Sequence, residues 1–189
     1  DTLIDRRHLP AQGQVLDLCC GAGRHTDILL RRGYHVVGVD LSMDLLRAAK
    51  QRTHDRSHGS LCRVDMRSLP FAAASFDAVI QMFTAFGYFA DDRDNRAVLH
   101  EVARTLRSGG HYVLDLMNLE PTVRGLVAQS IEPRADGSVV EQRRSFASER
   151  GRIDKTIRTT WPGGASEERH ESVRVLGQRE AAQWLHDTG

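Results

Sequence analysis

Three acidic residues set within or at the end of short apolar runs, together with one pair of glycines, are the residues of this chain best placed to do chemistry. Val15-Leu16-Asp17-Leu18-Cys19-Cys20-Gly21-Ala22-Gly23 runs from a β-type segment into Gly21 and Gly23, and helix-forming residues follow from Thr26. Glycines in that place let the chain turn sharply and let a ligand approach the backbone with no Cβ between. A dinucleotide fingerprint would carry a third glycine where Thr26 stands and would seat a pyrophosphate on the helix N-terminus. Asp17, inside the strand just ahead of the loop, would repel a pyrophosphate. It suits a ligand that carries a sulfonium and an α-ammonium. Asp40 closes Val36-Val37-Gly38-Val39-Asp40-Leu41-Ser42, where a carboxylate can accept from both ribose hydroxyls of a nucleoside. Its spacing from Gly23 is near the ~20 residues usual for a ribose acid. Asp65 and Met66 close a third run. Asp65 could accept from an adenine amino group while Met66 packs on the ring, with a simple loop Asp as the lesser alternative.

These residues need a frame, and the sequence suggests one. From Gln14 to Asn118 short β-rich runs alternate with helical patterns, which predicts βαβ units and a parallel sheet. The predicted strands are Val15–Cys19, His35–Asp40, Leu61–Asp65, Phe76–Met82 and His111–Leu116, mostly apolar, as strands covered on both faces should be. Helices are expected over Thr26–Arg32 (Ile28, Leu29 and Leu30 inward, Gly33 ending it), over Met43–Gln51 with Ser42 as N-cap, and from about Asp94 to Arg107. Beyond about Pro121 the pattern changes to period two over Val139–Phe146, Arg152–Trp161 and Glu167–Val175. That predicts a three-stranded antiparallel meander with one wet face, followed by a short helix over Gln178–His186. The expected organisation is a cofactor-type core over 1–120, with the meander and helix of 121–189 in the same domain.

Composition narrows the classes. A length of 189 residues suits one domain, and Lys+Arg at 26 against Asp+Glu at 25 gives a net charge of +1, so no nucleic-acid or membrane partner is expected. No apolar run approaches a membrane span, and the first residues, Asp1 to His8, are charged rather than signal-like. The three cysteines, two of them adjacent, suit reduced thiols and a cytoplasmic location. No His, Cys and Asp cluster has metal-ligand spacing, so no metal is expected.

Taken together, VLDLCCGAG, VVGVDLS, VDMRSLP, FDAVIQMFTAFGYF and LRSGGHYVLDLMN resemble, in order, the motifs of class I S-adenosylmethionine-dependent methyltransferases across residues 14–118. The resemblance implies a doubly wound α/β fold, a mostly parallel sheet of order 3-2-1-4-5, with the cofactor across the carboxyl ends of the strands. It implies that Asp17, Gly21 and Gly23 line the methionine portion, Asp40 and Leu41 the ribose, and Asp65 and Met66 the adenine, with Cys19, Arg24 and Ser42 also at the cofactor. Gln81 would offer a backbone contact to the amino-acid moiety, and His25 could join Arg24 at the carboxylate. The family pattern also includes an N-terminal helix and a closing β-hairpin that the present sequence does not show. The expected product is S-adenosylhomocysteine.

The stretch after the fourth strand bears on the acceptor. Gln81-Met82-Phe83-Thr84 is neither the Asn/Asp-Pro-Pro-Tyr/Phe of base amino methyltransferases nor the Pro-Cys of C5 pyrimidine methylation. Met82, Phe83, Phe86 and Tyr88 instead give an aromatic mouth for a small organic acceptor, although Phe83 and Phe86 could equally be packing under a loop. This run resembles small-molecule N- and O-methyltransferases, and the resemblance implies that Val139–Val175 encloses the acceptor or makes a homodimer contact. No general base is assigned; His170 and His186 qualify only if the meander folds over the pocket. The competing readings are an RNA or protein methyltransferase, a cofactor-holding protein without turnover, and an NAD-dependent enzyme disfavoured by Asp17 and Thr26.

Overall fold

A computed structural model describes residue 9, residues 13–54 and residues 57–188; Asp1 to His8, read above as a charged start, lies outside the described residues. The strands and helices in chain order are β1 (Gln14–Leu18), α1 (Arg24–Arg31), β2 (His35–Asp40), α2 (Met43–Arg52), β3 (Gly59–Arg63), β4 (Phe76–Gln81), α3 (Asp92–Thr105), β5 (Leu106–Leu114), α4 (Leu119–Arg124), β6 (Gln129–Pro133), β7 (Val139–Ala147), β8 (Arg152–Thr160), β9 (Ser166–Arg174) and α5 (Gln178–Thr188). Strands β1 to β5 form a parallel sheet of order β3-β2-β1-β4-β5, and β6 to β9 form a separate antiparallel sheet. The order reverses between β1 and β4, and that switch point opens a crevice at the carboxyl edge.

The central strands are apolar on both faces because both faces are covered. Period two sends Leu16, Leu18, Val39 and Val79 to one side, where they meet Val98, Leu99 and Val102 of α3 and Trp184 of α5. Val15, Val36, Ala78 and Ile80 point the other way, onto Leu29 and Leu30 of α1 and onto Tyr34. Ser42 caps α2 by accepting from the Leu45 amide at 3.3 Å. Asp91 caps α3 by accepting from the Arg93 amide at 2.8 Å.

Several boundaries differ from the sequence reading, each for a local reason. Ile28 of α1 is exposed, so the buried stripe of that helix is narrower than the three apolar neighbours suggested. The third helix stops at Thr105, and Leu106 is already in β register with Phe76, with a bulge between Phe76 and Ala78. Ser108-Gly109-Gly110 is therefore strand rather than helix stop. β3 ends at Arg63, which leaves Asp65 and Met66 on the following loop. The meander has four strands rather than three. β6 was not legible because it is a short edge strand whose one large apolar residue, Ile131, faces outward. α4 begins Leu-Glu-Pro, and Pro121 in a first turn reads equally well as a loop.

Candidate active site at the carboxyl edge of the parallel sheet

The glycine loop is held by the acid at the end of the next strand. One carboxylate oxygen of Asp40 accepts from the Gly21 amide at 2.9 Å, and the other accepts from the Ser42 amide at 2.8 Å. Each oxygen keeps a free lone pair for a ligand hydroxyl. Gly23 is left-handed, with φ 74°, and a Cβ there would lie 2.9 Å from the Ala49 Cβ, so α1 and α2 can meet only over a glycine. At Gly21 a Cβ would meet no atom within 4 Å; it would project into the crevice, as expected where a ligand approaches the main chain. Cys19 is left-handed as well, with φ 60°. It lies outside β1, which ends at Leu18, although the sequence pattern extends the first strand to Cys19.

Asp17 is almost wholly buried and accepts from the Thr26 hydroxyl at 2.6 Å. Threonine at the position of a third glycine thus partners the acid, a link between the two residues that spacing alone does not reveal. Burial pushes the Asp17 carboxyl up to about 6, against the opposing effect of the Thr26 bond. Burial, reinforced by the nearby carboxylates, pushes the Cys19 thiol up to about 12, which makes it an inert wall rather than a nucleophile.

The crevice has two lobes. One, of 490 Å³, is lined by Asp40, Leu41, Val64, Asp65, Met66 and Phe89 among others. The second, of 350 Å³, is lined by Asp17, Ala22, Arg24, His25 and Arg52, and it shares Cys19, Gly21, Met82 and Phe83 with the first. Leu41 is exposed at the rim of the larger lobe. The fold therefore brings Asp17, Cys19, Gly21, Arg24, Asp40, Leu41, Asp65, Met66, Met82, Phe83 and Tyr88 around one crevice. Ser42 stands beside it as cap and amide donor. Gly23 shapes the turn without lining either lobe.

Two expected residues face elsewhere. Phe86 is in the core, edge-to-face with Trp184 at 6.4 Å between centroids, so it is packing under the loop and not part of an aromatic mouth. Gln81 is fully buried. Its amide nitrogen donates to the Ala85 carbonyl at 2.9 Å, its amide oxygen accepts from the Tyr112 hydroxyl at 2.5 Å, and its backbone carbonyl accepts from the Asp115 amide. Its side chain anchors the loop from inside.

Phe83 and Thr84 are both left-handed, with φ 55° and 58°, a strain that clusters at ligand sites. The turn is held where the Phe83 amide donates to the Asp115 carboxylate at 3.0 Å. It places the Phe83 ring 5.2 Å from the His25 ring and under the Arg24 guanidinium at 4.1 Å, so the three form a roof where the two lobes join. Burial, then the Arg24 charge, lowers the His25 pKa. Tyr88 lines the larger lobe and also an open cavity of 1370 Å³ between this loop and the antiparallel sheet.

Sequence reasoning missed Arg152, a buried guanidinium on β8. It donates to the carbonyls of Gly87 at 3.2 Å, Phe89 at 2.9 Å and Ser172 at 2.7 Å, and to the Ser172 hydroxyl at 2.8 Å. The Arg174 amide adds a bond to the Gly87 carbonyl at 2.8 Å. Read as a strand residue in a period-two pattern, an arginine there signals only a wet face.

Residues 15–110 match the family model described as a methyltransferase domain. The chain belongs to this family. The methyltransferase domain's sequence is 30% identical over 110 residues to the dTDP-3-amino-3,4,6-trideoxy-alpha-D-glucopyranose N,N-dimethyltransferase of Streptomyces venezuelae, covering 58% of this chain and 45% of that protein. Its fold superposes on the CcbJ methyltransferase of Streptomyces caelestis with a TM-score of 0.83 at 16% identity, covering 100% of this chain and 76% of that one. It also superposes on CalS10, an amino pentose methyltransferase of Micromonospora echinaspora solved with S-adenosylmethionine bound, with a TM-score of 0.73 at 22% identity, covering 100% and 80%. The chain spans less than half the length of the curated relative just named. The donor set at this crevice fits S-adenosylmethionine, the group bound in CalS10: a Cβ-free approach at Gly21, the Asp40 carboxylate at the end of β2 and the buried acid Asp17 in β1. Among the described residues no helix is long and apolar enough to cross a membrane.

Proposed function

We propose that this methyltransferase domain moves a methyl group from S-adenosylmethionine to a nitrogen or oxygen of a small organic acceptor by in-line displacement. The observation that carries the reading is Asp40, whose two oxygens pin the Gly21 loop and the Ser42 turn while facing the larger lobe. In this reading Asp40, Leu41 and Ser42 hold the ribose, and Asp65 and Met66 hold the adenine. Asp17, Cys19, Gly21 and Arg24, with His25 and Arg52, surround the methionine portion, and Gly23 sets the turn that brings them together. The bound sulfonium supplies an activated methyl with an excellent leaving group. The protein's part is then alignment and exclusion of water.

Met82, Phe83 and Tyr88 form the acceptor side. Tyr88 joins the cofactor crevice to the cavity under the antiparallel sheet, which favours the sheet as an enclosing wall for the acceptor over a dimer contact. The activities of these relatives on amino sugars support a polar small-molecule acceptor. Free Cys19, Cys20 and Cys62 accord with a cytoplasmic setting.

Calorimetric titration with S-adenosylhomocysteine tests the reading. Wild type should bind with a Kd on the order of micromolar, about −8 kcal/mol, and Asp40→Ala should abolish the heat. No binding by folded wild type would sink the proposal.

A further inference from the structure

Asp65 does not face the larger lobe alone. Its carboxylate is gripped from behind by Arg67: Nε lies 3.1 Å and 3.2 Å from the two oxygens, and Nη2 lies 2.7 Å from Oδ2. The Arg67 amide adds a bond to Oδ1 at 3.0 Å. The guanidinium is itself fixed by two other elements. Its Nη1 donates to Asp94 in the first turn of α3 at 2.9 Å, and its plane lies over the Phe89 ring at 4.4 Å. Phe89 and Asp65 line the lobe, whereas Arg67 does not. An exposed ion pair alone would add little to stability, but this one spends a planar fork, an aromatic platform and a helix terminus on aiming one carboxylate.

We propose that Arg67 is a positioning residue that makes the site selective for a purine with a 6-amino group, by presenting Asp65 in a fixed, acceptor-only orientation. The inference rests on the reading that places adenine beside Asp65. The Arg67 bonds also hold the Asp65 carboxyl below its ordinary range, so it has no proton to donate. A carboxylate that can only accept welcomes the N–H of a 6-amino group and opposes the lone pairs of a 6-oxo group.

The test compares S-adenosylhomocysteine with S-inosylhomocysteine, its 6-oxo counterpart, by calorimetry on wild type, Asp65→Asn, Arg67→Ala and Arg67→Lys. Wild type should prefer the amino ligand by roughly tenfold or more, the worth of one charge-assisted hydrogen bond. Arg67→Ala and Arg67→Lys should both bring the ratio close to that of Asp65→Asn, with melting temperatures near wild type. Lysine keeps the charge but has neither the fork nor the plane. A wild-type ratio in Arg67→Ala or Arg67→Lys, beside a collapsed ratio in Asp65→Asn, overturns the role of Arg67 and leaves the site reading intact. A wild-type ratio in Asp65→Asn overturns the adenine assignment itself, and this inference with it. Failure of wild type to bind either ligand instead refutes the proposed function.

Discussion

At the scale of single residues, Asp17 makes opposite demands on folding and on binding. Burial raises its carboxyl from 3.8 to about 6, so the folded protein binds this proton more tightly than the unfolded chain does. Its contribution to stability is therefore full below about pH 4 and is lost as pH rises through about 6, a difference of roughly 3 kcal/mol. Asp17→Asn keeps an oxygen to accept from Thr26 and should be more stable than wild type at pH 7.5, while losing that advantage at pH 4. Urea unfolding at the two pH values measures this. Binding runs the other way, because the α-ammonium of the ligand prefers the ionised acid. Affinity for S-adenosylhomocysteine should fall in wild type as pH drops below about 6, and calorimetry should show a flatter profile in Asp17→Asn. A wild-type profile with no inflection near 6 would remove Asp17 from the cofactor's charge environment.

At the scale of elements, the loop after β4 is fixed from both ends and from above. Gln81 anchors it from the core, Asp115 holds the Phe83 amide, and Arg152 with Arg174 clamps Gly87 and Phe89 to the antiparallel sheet. The sheet is thus a buttress for the wall that Tyr88 and Phe89 give the crevice. Replacing Arg152 by Met keeps the apolar stem but strands several buried carbonyls, at a cost of about 3 kcal/mol. A lowered melting temperature and weakened S-adenosylhomocysteine binding are expected together. Gly87 has φ +93°, and a Cβ there would lie 2.4 Å from the Arg174 carbonyl oxygen. Gly87→Ala should therefore push the loop off the sheet and weaken binding as Arg152→Met does. Thermal melts and calorimetry on both variants check the pairing.

At the scale of the whole molecule, α5 closes the core that the parallel sheet opens. Trp184 is buried against Phe86, with the Arg96 guanidinium over its ring at 4.3 Å. Trp184→Ala should cost roughly 3–5 kcal/mol, read as a drop in the urea midpoint, because the cavity would open beneath the same loop that lines the crevice. We propose that the 121–189 segment is one cooperative unit with the nucleotide-type core, so that removing it should unfold more than a lid. What the sequence by itself determined was the kind and order of the elements that depend on neighbours along the chain, though not all their boundaries. The apolar runs set β1 to β5, Gly21 and Gly23 set the turn, and acids at or just beyond strand ends put Asp17, Asp40 and Asp65 at one edge, because a parallel sheet aligns its carboxyl ends. Tertiary structure alone decided which side of a loop faces the core. Phe86 and Phe83 lie three residues apart with similar local chemistry, yet one meets Trp184 and the other roofs the crevice. It also decided that Arg152 would be buried and that the edge strand β6 would pair at all. Those outcomes depend on contacts between distant segments, and no local periodicity encodes them.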